Sequence, residues 1–205
     1  MSSSSETSVS ALVARARRGD PAILGRLMER YQAYLMLLAE VQLDRKLRAK
    51  VDASDVVQHT FLEAFRDFGQ FRGGSEGELT AWLRQILSRN LAQELRRYQG
   101  TKRRDVRLER SLDHELDASS LALERGLVAE GSSPSREAMR RESAVILADA
   151  LNKLPKDYRE VILLRHIRNL PVAEVAQEMG RSTEAVRHLW MRALAKLRTE
   201  LGTSP

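Results

Sequence analysis

The residues best suited to chemistry lie near the carboxyl end of the chain, where polar side chains share one face of a predicted helix. The opposite face carries an apolar stripe at helical spacing: Ala185, Val186, Leu189, Trp190, Ala193, Leu194 and Leu197. Removing the stripe leaves an outward set of polar residues: Thr183, Glu184, Arg187, His188 and Arg192. Arginine can fork onto guanine, glutamate can accept from cytosine, and a helix N-terminus favours phosphate. The pattern therefore favours a surface that reads base edges in DNA.

The element that must position these side chains is a helix-turn-helix. An apolar face precedes the turn, formed by Val172, Val175, Ala176 and Met179. Gly180 stands where a helix C-cap glycine belongs, and Ser182 can cap the next helix. In this motif the second helix enters the major groove and its first turns meet the bases. We therefore add Ser182 to the predicted DNA contacts; an ordinary helical hairpin with a charged face is the alternative.

Composition indicates that the rest of the chain is also helical. The 205 residues are 42% hydrophobic and only 5% aromatic, which is too lean in aromatic residues for a many-stranded sandwich or barrel. Asp20 and Pro21 form a helix start, and Asp52 or Ser54 opens a second helix whose apolar stripe is Val57, Phe61, Ala64, Phe65 and Phe68. A third long helix follows over residues 79–95. We predict an all-α fold.

Charge and periodicity predict two small helical domains joined by a flexible linker. After a disordered N-terminus at residues 1–9, the first domain spans 10–103, the linker spans 104–135, and the second domain spans 136–205. Within the linker, a short helix near residues 121–127 is the alternative to an irregular chain. Residues 96–110 hold seven basic and two acidic residues, whereas residues 112–135 hold five acidic and one basic. Such a change of sign beside a change of composition marks a boundary. The net charge of +6 and pI of about 10.0 favour a polyanionic partner.

Several function classes find no support in the sequence. The absence of cysteine excludes disulfides, thiolate zinc sites and a cysteine nucleophile, and it fits a reducing cytoplasm. The longest uncharged run, residues 31–39, is much shorter than the ~20 apolar residues of a membrane span. The four histidines lack metal-ligand spacing, and no nucleotide-binding loop or nucleophile elbow is present. We expect a cytoplasmic protein that is not an enzyme, uses no cofactor or metal, and does not enter the membrane.

Two groups of motifs resemble the conserved regions of one bacterial family. Region 2 of the sigma-70 family resembles the run from Asp55 to Phe61, then Phe71-Arg72-Gly73, then Trp82-Leu83 with Ile86 and Asn90. Region 4 resembles Leu154-Pro155 with Tyr158-Arg159 and Val161, the run from Val172 to Ala176, and Ser182 with Ala185-Val186-Arg187. No region 1 or region 3 domain fits between these two groups of motifs. The chain therefore resembles the two-domain, extracytoplasmic-function (ECF) type of sigma factor.

The resemblance implies a promoter-specificity subunit. Such a subunit binds core RNA polymerase, recognises the −35 and −10 promoter elements, and helps to melt the latter. The implied partners are promoter DNA, the polymerase β′ coiled coil and β flap, and an anti-sigma factor. The implied contacts with the β′ coiled coil are Asp55, Gln58 and His59. The implied contacts with a flipped base and phosphates of the −10 element are Phe71, Arg72, Asn90, Arg96 and Arg97.

The residues alone leave alternatives open. Phe71 could pack its loop down, Asn90 could bond within the helical bundle, and His59 and His188 could be ordinary surface histidines. At the level of function, the alternative is a stand-alone helix-turn-helix regulator that binds duplex DNA and never touches polymerase. A nucleic-acid enzyme with a carboxylate metal site is disfavoured, because the acidic residues do not converge on one motif.

Overall fold

The computed structural model describes residues 8–43, 50–99, 106–125 and 144–202, and within these ranges the regular elements are all helices. This confirms the predicted all-α class. The chain divides into two compact units, Met1–Asp117 and Ala118–Pro205. The predictions for residues 1–7, 104–105 and 126–143 lie outside the described residues. Val9, which was predicted to be disordered, is buried at the start of the first helix.

The first unit begins with helices whose caps follow from local chemistry. Its helices are α1 (Val9–Ala16), α2 (Pro21–Gln42), α3 (Ala53–Asp67), α4 (Glu76–Gln99) and the first part of α5 (Val106–Arg125), which continues from Ala118 into the second unit; a 3-10 turn lies at Phe68–Gln70. Asp20 Oδ1 accepts from the Ala22 and Ile23 N–H groups at 3.1 and 3.3 Å, as predicted for the start of α2. Asp52, rather than Ser54, caps α3.

The core of this unit lies between α2, α3 and α4. Its largest fully buried side chains include Tyr31, Tyr34, Leu35, Leu83 and Leu87. The Tyr31 hydroxyl donates to Glu76 Oε1 at 3.0 Å, so α2 is tied to the first turn of α4. Burial, together with the Glu76 carboxylate, raises the pKa of Tyr31. The start of α4, and the loop just before it, are thereby anchored to the core.

Helix α5 corrects the predicted linker, because residues 106–125 of that segment are helical. Leu112 and Leu116 are buried on it. Arg96 and Glu109 form an ion pair at 3.1 Å, and Arg84 donates to Asp117 Oδ1 at 2.8 Å. The signal was present but faint, since the leucines recur every four residues among many charges. Ser119 and Ser120 are also buried on this helix.

Replacing Arg84 tests how firmly α5 is held. Its guanidinium bonds Asp117 and, at 3.2 Å, the Tyr34 hydroxyl, and only 15% of the side chain is exposed. We expect Arg84→Met to lower the free energy of unfolding by about 1–3 kcal/mol, because both partners lose a charged donor. Urea unfolding followed by circular dichroism measures this. The control is Arg89→Met on the same helix, since Arg89 is half exposed and lies 3.9 Å from Glu63. Equal shifts in the two variants would contradict the expectation.

The second unit consists of short helices around a small apolar core. Residues 144–152 form α6, Lys156–Ile162 form α7 with a π-helical turn at Leu163–Ile167, Val172–Met179 form α8, and Thr183–Glu200 form α9. Helices α8 and α9 are the two helices of the predicted helix-turn-helix. The buried side chains of this core include Leu151, Val161, Leu164, Val175 and Val186.

Candidate nucleic-acid interface

The turn between α8 and α9 has the geometry that the sequence predicts. Gly180 adopts a left-handed conformation, with φ of 63° and ψ of 38°, which a side chain would strain. Its N–H donates to Gln177 O at 3.2 Å, and the Arg181 N–H donates to Ala176 O at 2.9 Å, so the end of α8 is closed. Ser182 Oγ then accepts from the Ala185 N–H at 3.1 Å and starts α9. The helix-turn-helix is therefore confirmed.

Helix α9 buries one face and exposes the other. Val186, Leu189, Ala193 and Leu197 are buried. The predicted DNA contacts are all exposed: Ser182, Thr183, Glu184, Arg187, His188 and Arg192.

Glu184 connects two of these exposed side chains. Its carboxylate lies 3.3 Å from Arg187 Nη1 and 3.0 Å from His188 Nε2, and the three side chains are 66%, 61% and 72% exposed. Exposed ion pairs contribute little to stability. Arg187 and His188 can therefore leave Glu184 for DNA at small cost.

Three residues of the predicted apolar stripe are not fully buried: Ala185, Trp190 and the half-buried Leu194. Ala185 is exposed, because it falls at the edge of the stripe next to the turn. Trp190 is half-buried rather than fully in the core, and its indole N–H donates to His166 Nε2 at 3.0 Å. Burial and the nearby Arg165 lower the pKa of His166, which favours the neutral ring that can accept this bond. Trp190 therefore packs α9 against the π-helical turn.

In the first unit, the loop of residues 71–75 precedes α4 and is closed by a capping box. The Glu78 N–H donates to Ser75 Oγ at 3.3 Å. In return, Glu78 Oε2 accepts from the Gly74 N–H, the Ser75 N–H and the Ser75 hydroxyl at 2.9, 3.0 and 2.8 Å. These hydrogen bonds lower the pKa of the Glu78 carboxyl, and the bond from the Gly74 N–H contributes most. The Ser-x-x-Glu spacing was a sequence signal for this start that the sequence analysis missed.

One face of α3 exposes apolar side chains beside polar ones. Asp55, Gln58 and His59 are exposed, as predicted for a contact surface. Further along the same helix, Leu62 is 67% exposed and Phe65 is 41% exposed. Phe65 was predicted to be buried, and that prediction is wrong. We call Asp55, Gln58, His59, Leu62 and Phe65 the α3 surface; an exposed apolar cluster of this kind is typical of a binding site.

Comparison with known families identifies the two units. The family model of sigma-70 region 2 matches residues 30–101, and the model of sigma-70 region 4 matches residues 144–197. The chain belongs to the sigma-70 family. The ECF RNA polymerase sigma factor BldN of Streptomyces coelicolor is 30% identical over 188 residues, which is 91% of this chain and 63% of BldN. The ECF RNA polymerase sigma-E factor of Haemophilus influenzae is 28% identical over 185 residues, which is 89% of each chain.

These relatives confirm the predicted ECF type, although this chain spans less than two thirds of the length of BldN. Among solved structures, the structure of CnrH in complex with the cytosolic domain of CnrY has a chain that is 24% identical to this one. That chain matches 96% of this sigma-family chain over 98% of its own length, with a TM-score of 0.33.

Within the region 2 unit, Phe71 and Asn90 are not placed as predicted for reading a base. The Phe71 ring is buried and stacks on Trp82, with 5.0 Å between ring centres. Asn90 is 6% exposed, and its amide bonds inside the unit. With its oxygen toward Thr60, it accepts from the Thr60 hydroxyl at 3.2 Å and donates to Glu63 Oε1 at 3.3 Å. Phe71 therefore packs its loop down and Asn90 bonds within the helical bundle, the alternatives that the sequence left open.

The cations predicted to follow the −10 phosphates differ in accessibility. Arg72 is exposed in the loop of residues 71–75. Arg97 is 69% exposed and forms an ion pair with Glu94 at 2.9 Å. Arg96, in contrast, is only 16% exposed because it is held by Glu109 of α5. Arg72 and Arg97 are thus exposed, whereas the Arg96 guanidinium is engaged by Glu109.

The described ranges contain neither a metal-binding cluster nor a membrane-spanning helix. No group of three or more histidine, aspartate and glutamate side chains there is arranged to hold a metal ion. In the same part of the chain, no helix is both long and apolar enough to cross a membrane.

Proposed function

We propose that this sigma-70 family chain is a dissociable promoter-specificity subunit of RNA polymerase. It binds the core enzyme, directs it to promoters through the −35 and −10 elements, and helps to melt the −10 element. The observation that carries the proposal is the presence in one chain of matched regions 2 and 4, each exposing a surface suited to its partner. The chain acts by binding and not by catalysis, and it works in the cytoplasm, where the core enzyme is.

The −35 element is assigned to α9. Its exposed face begins at a capped N-terminus and carries Glu184, Arg187 and His188 within two turns. Arginine recognises guanine with two parallel hydrogen bonds, and glutamate can accept from the cytosine amino group. The helix N-terminus and Arg192 supply contacts to phosphate. Base discrimination is thus assigned to Glu184 and Arg187. The position of the helix along the duplex is assigned to the helix N-terminus, His188 and Arg192.

The −10 element is assigned to the exposed part of the loop of residues 71–75 and to α4. With Phe71 and Asn90 packed inside, the exposed residues that face a nucleotide strand in this proposal include Arg72, Gly74, Ser75 and Arg97. The Phe71 ring then packs on Trp82 and does not contact the base. Strand separation at this element is favoured when the unit holds an unstacked base.

The polymerase is assigned to the α3 surface. Its exposed Leu62 and Phe65 supply apolar area, and Asp55 at the first turn supplies charge. An interface with an apolar centre and a charged rim is typical of protein partners. The β′ coiled coil is the proposed partner of this surface, the β flap that of the region 4 unit, and an anti-sigma factor that of the whole chain.

Transcription in vitro tests the function. Core RNA polymerase is incubated with genomic DNA with and without the full chain, and transcript start sites are mapped. We expect new start sites that share a −35 and a −10 sequence and appear only when the chain is added. If the chain changes no start site, the proposal is wrong.

A stand-alone regulator is the second candidate, because the reading face of α9 is fully exposed in the chain alone. Fluorescence anisotropy with duplex promoter DNA separates the two functions. The sigma function predicts weak binding until core polymerase is added. The regulator function predicts tight specific binding by the chain alone, at affinities of about 10⁻⁸ M or better.

A further inference from the structure

Arg17 reaches from the end of α1 to the loop of residues 71–75. Its Nη2 donates to Phe71 O at 3.0 Å and also to Gly73 O. The guanidinium carbon lies 5.5 Å from the centre of the Phe71 ring, within cation–π range. One side chain therefore binds two carbonyls and the aromatic ring of a loop that is more than fifty residues away in sequence.

The opposite side of the loop is held by Glu78. Arg17 takes the carbonyls of Phe71 and Gly73, whereas the Glu78 carboxylate takes the N–H groups of Gly74 and Ser75. Little space is left between them. A Cβ on Gly73 would lie 2.6 Å from Glu78 Cβ and 2.6 Å from Phe71 Cζ. A cation on its carbonyls and an anion on its amides thus fix the backbone of the loop.

A role as a simple helix cap does not explain these contacts. Arg17 is the C-cap residue of α1, and a basic side chain near a helix C-terminus is favourable. That role would direct the guanidinium to the last carbonyls of α1. Its hydrogen bonds run instead to the carbonyls of Phe71 and Gly73. The side chain therefore supports the loop.

We propose that Arg17 is a positioning residue for recognition of the −10 element. It holds the loop in the shape that presents Arg72 and Ser75 to the nucleotide strand, and it does not itself touch the DNA. This inference rests on the proposed function of the loop. A loop that is already ordered loses less conformational entropy when it binds a base. We therefore expect base selectivity to depend on Arg17.

A randomised promoter library tests this role with the full chain and core polymerase. Arg17→Ala is compared with Arg18→Ala, which removes the same charge from the next, exposed residue. We expect Arg17→Ala to lower discrimination among −10 sequences about tenfold, the effect of one hydrogen bond to a charged group. Discrimination among −35 sequences and the affinity for core polymerase stay unchanged. Arg17→Lys restores only part, since the shorter lysine lacks the planar guanidinium that lies over the Phe71 ring while one of its nitrogens binds both carbonyls.

Hydrogen exchange on the chain without polymerase is the second readout. Arg17→Ala should speed exchange of the Gly74 and Ser75 amides about tenfold and leave the interior of α4 unchanged. Gly73→Ala, which crowds the loop from the other side, should produce the same −10 defect if Arg17→Ala proves unstable.

The outcomes separate this inference from the function on which it rests. Unaltered exchange, or an equal loss of selectivity at −10 and −35, would overturn the role of Arg17. If the wild-type chain directs no promoter-dependent transcription, the proposed function itself is wrong, whatever the exchange experiment shows.

Discussion

Asp55→Arg will abolish binding of the chain to core RNA polymerase while the region 2 unit stays folded. Asp55 is exposed in the first turn of α3, one turn before Gln58 and two turns before Leu62. Reversing a charge in an interface leaves the partner charge buried and unpaired, which costs about 2–5 kcal/mol, or at least about 30-fold in affinity. Within the unit, the change loses only the favourable interaction with the helix N-terminus, about 0.3–1 kcal/mol.

Affinity for core polymerase, measured by surface plasmon resonance, checks this expectation, and circular dichroism checks the fold. The control is Glu29→Arg, which reverses an exposed acidic charge on a different helix, α2. Leu62→Asp is a second variant, because it removes apolar area that is already exposed and that packing within the unit does not need. If Asp55→Arg retains wild-type affinity, the β′ coiled coil does not bind this surface.

The parts of the fold that could be predicted from sequence are those governed by local chemistry. Asp20 before Pro21, and Gly180 followed by Ser182, mark helix ends because the caps bind backbone groups only two or three residues away. The reading face of α9 could be predicted for the same reason, since a helix-turn-helix is a short-range motif with a strict apolar stripe. In these segments the local preference and the tertiary structure agree.

The predictions that failed depend on distant partners. Helix α5 is stabilised by ion pairs with Arg84 and Arg96 of α4. The charged sequence of α5 alone does not indicate these partners. Phe71 at the start of a loop with two glycines suggests a platform for a base, yet Trp82 and Arg17 cover it. Phe61 and Phe65 are one turn apart, and periodicity cannot tell which of them the bundle leaves exposed. In each case the neighbour that decides is many residues away in sequence.

Arg187→Ala will relax the sequence preference of the holoenzyme at one base pair of the −35 element. Arg187 is the first arginine within α9, and its guanidinium lies 3.3 Å from the exposed carboxylate of Glu184 on the same helix face. A forked arginine–guanine contact is worth about 1–3 kcal/mol of discrimination, so that preference at that position falls about 5- to 150-fold. Alanine favours helix more than arginine does, so α9 stays folded.

The pattern of the loss across −35 variants tells what Arg187 does. A base contact predicts a loss confined to one position, with the preference at the other positions unchanged. Arg187→Lys keeps the charge but not the fork, and it should lose the preference while retaining most of the affinity. A phosphate contact predicts the reverse: an equal loss on all sequences, restored by lysine, and a salt dependence reduced by about one charge. Since Glu184 shares this face and can accept from cytosine, Glu184→Ala should alter the preference at a neighbouring position, which places α9 in register on the groove.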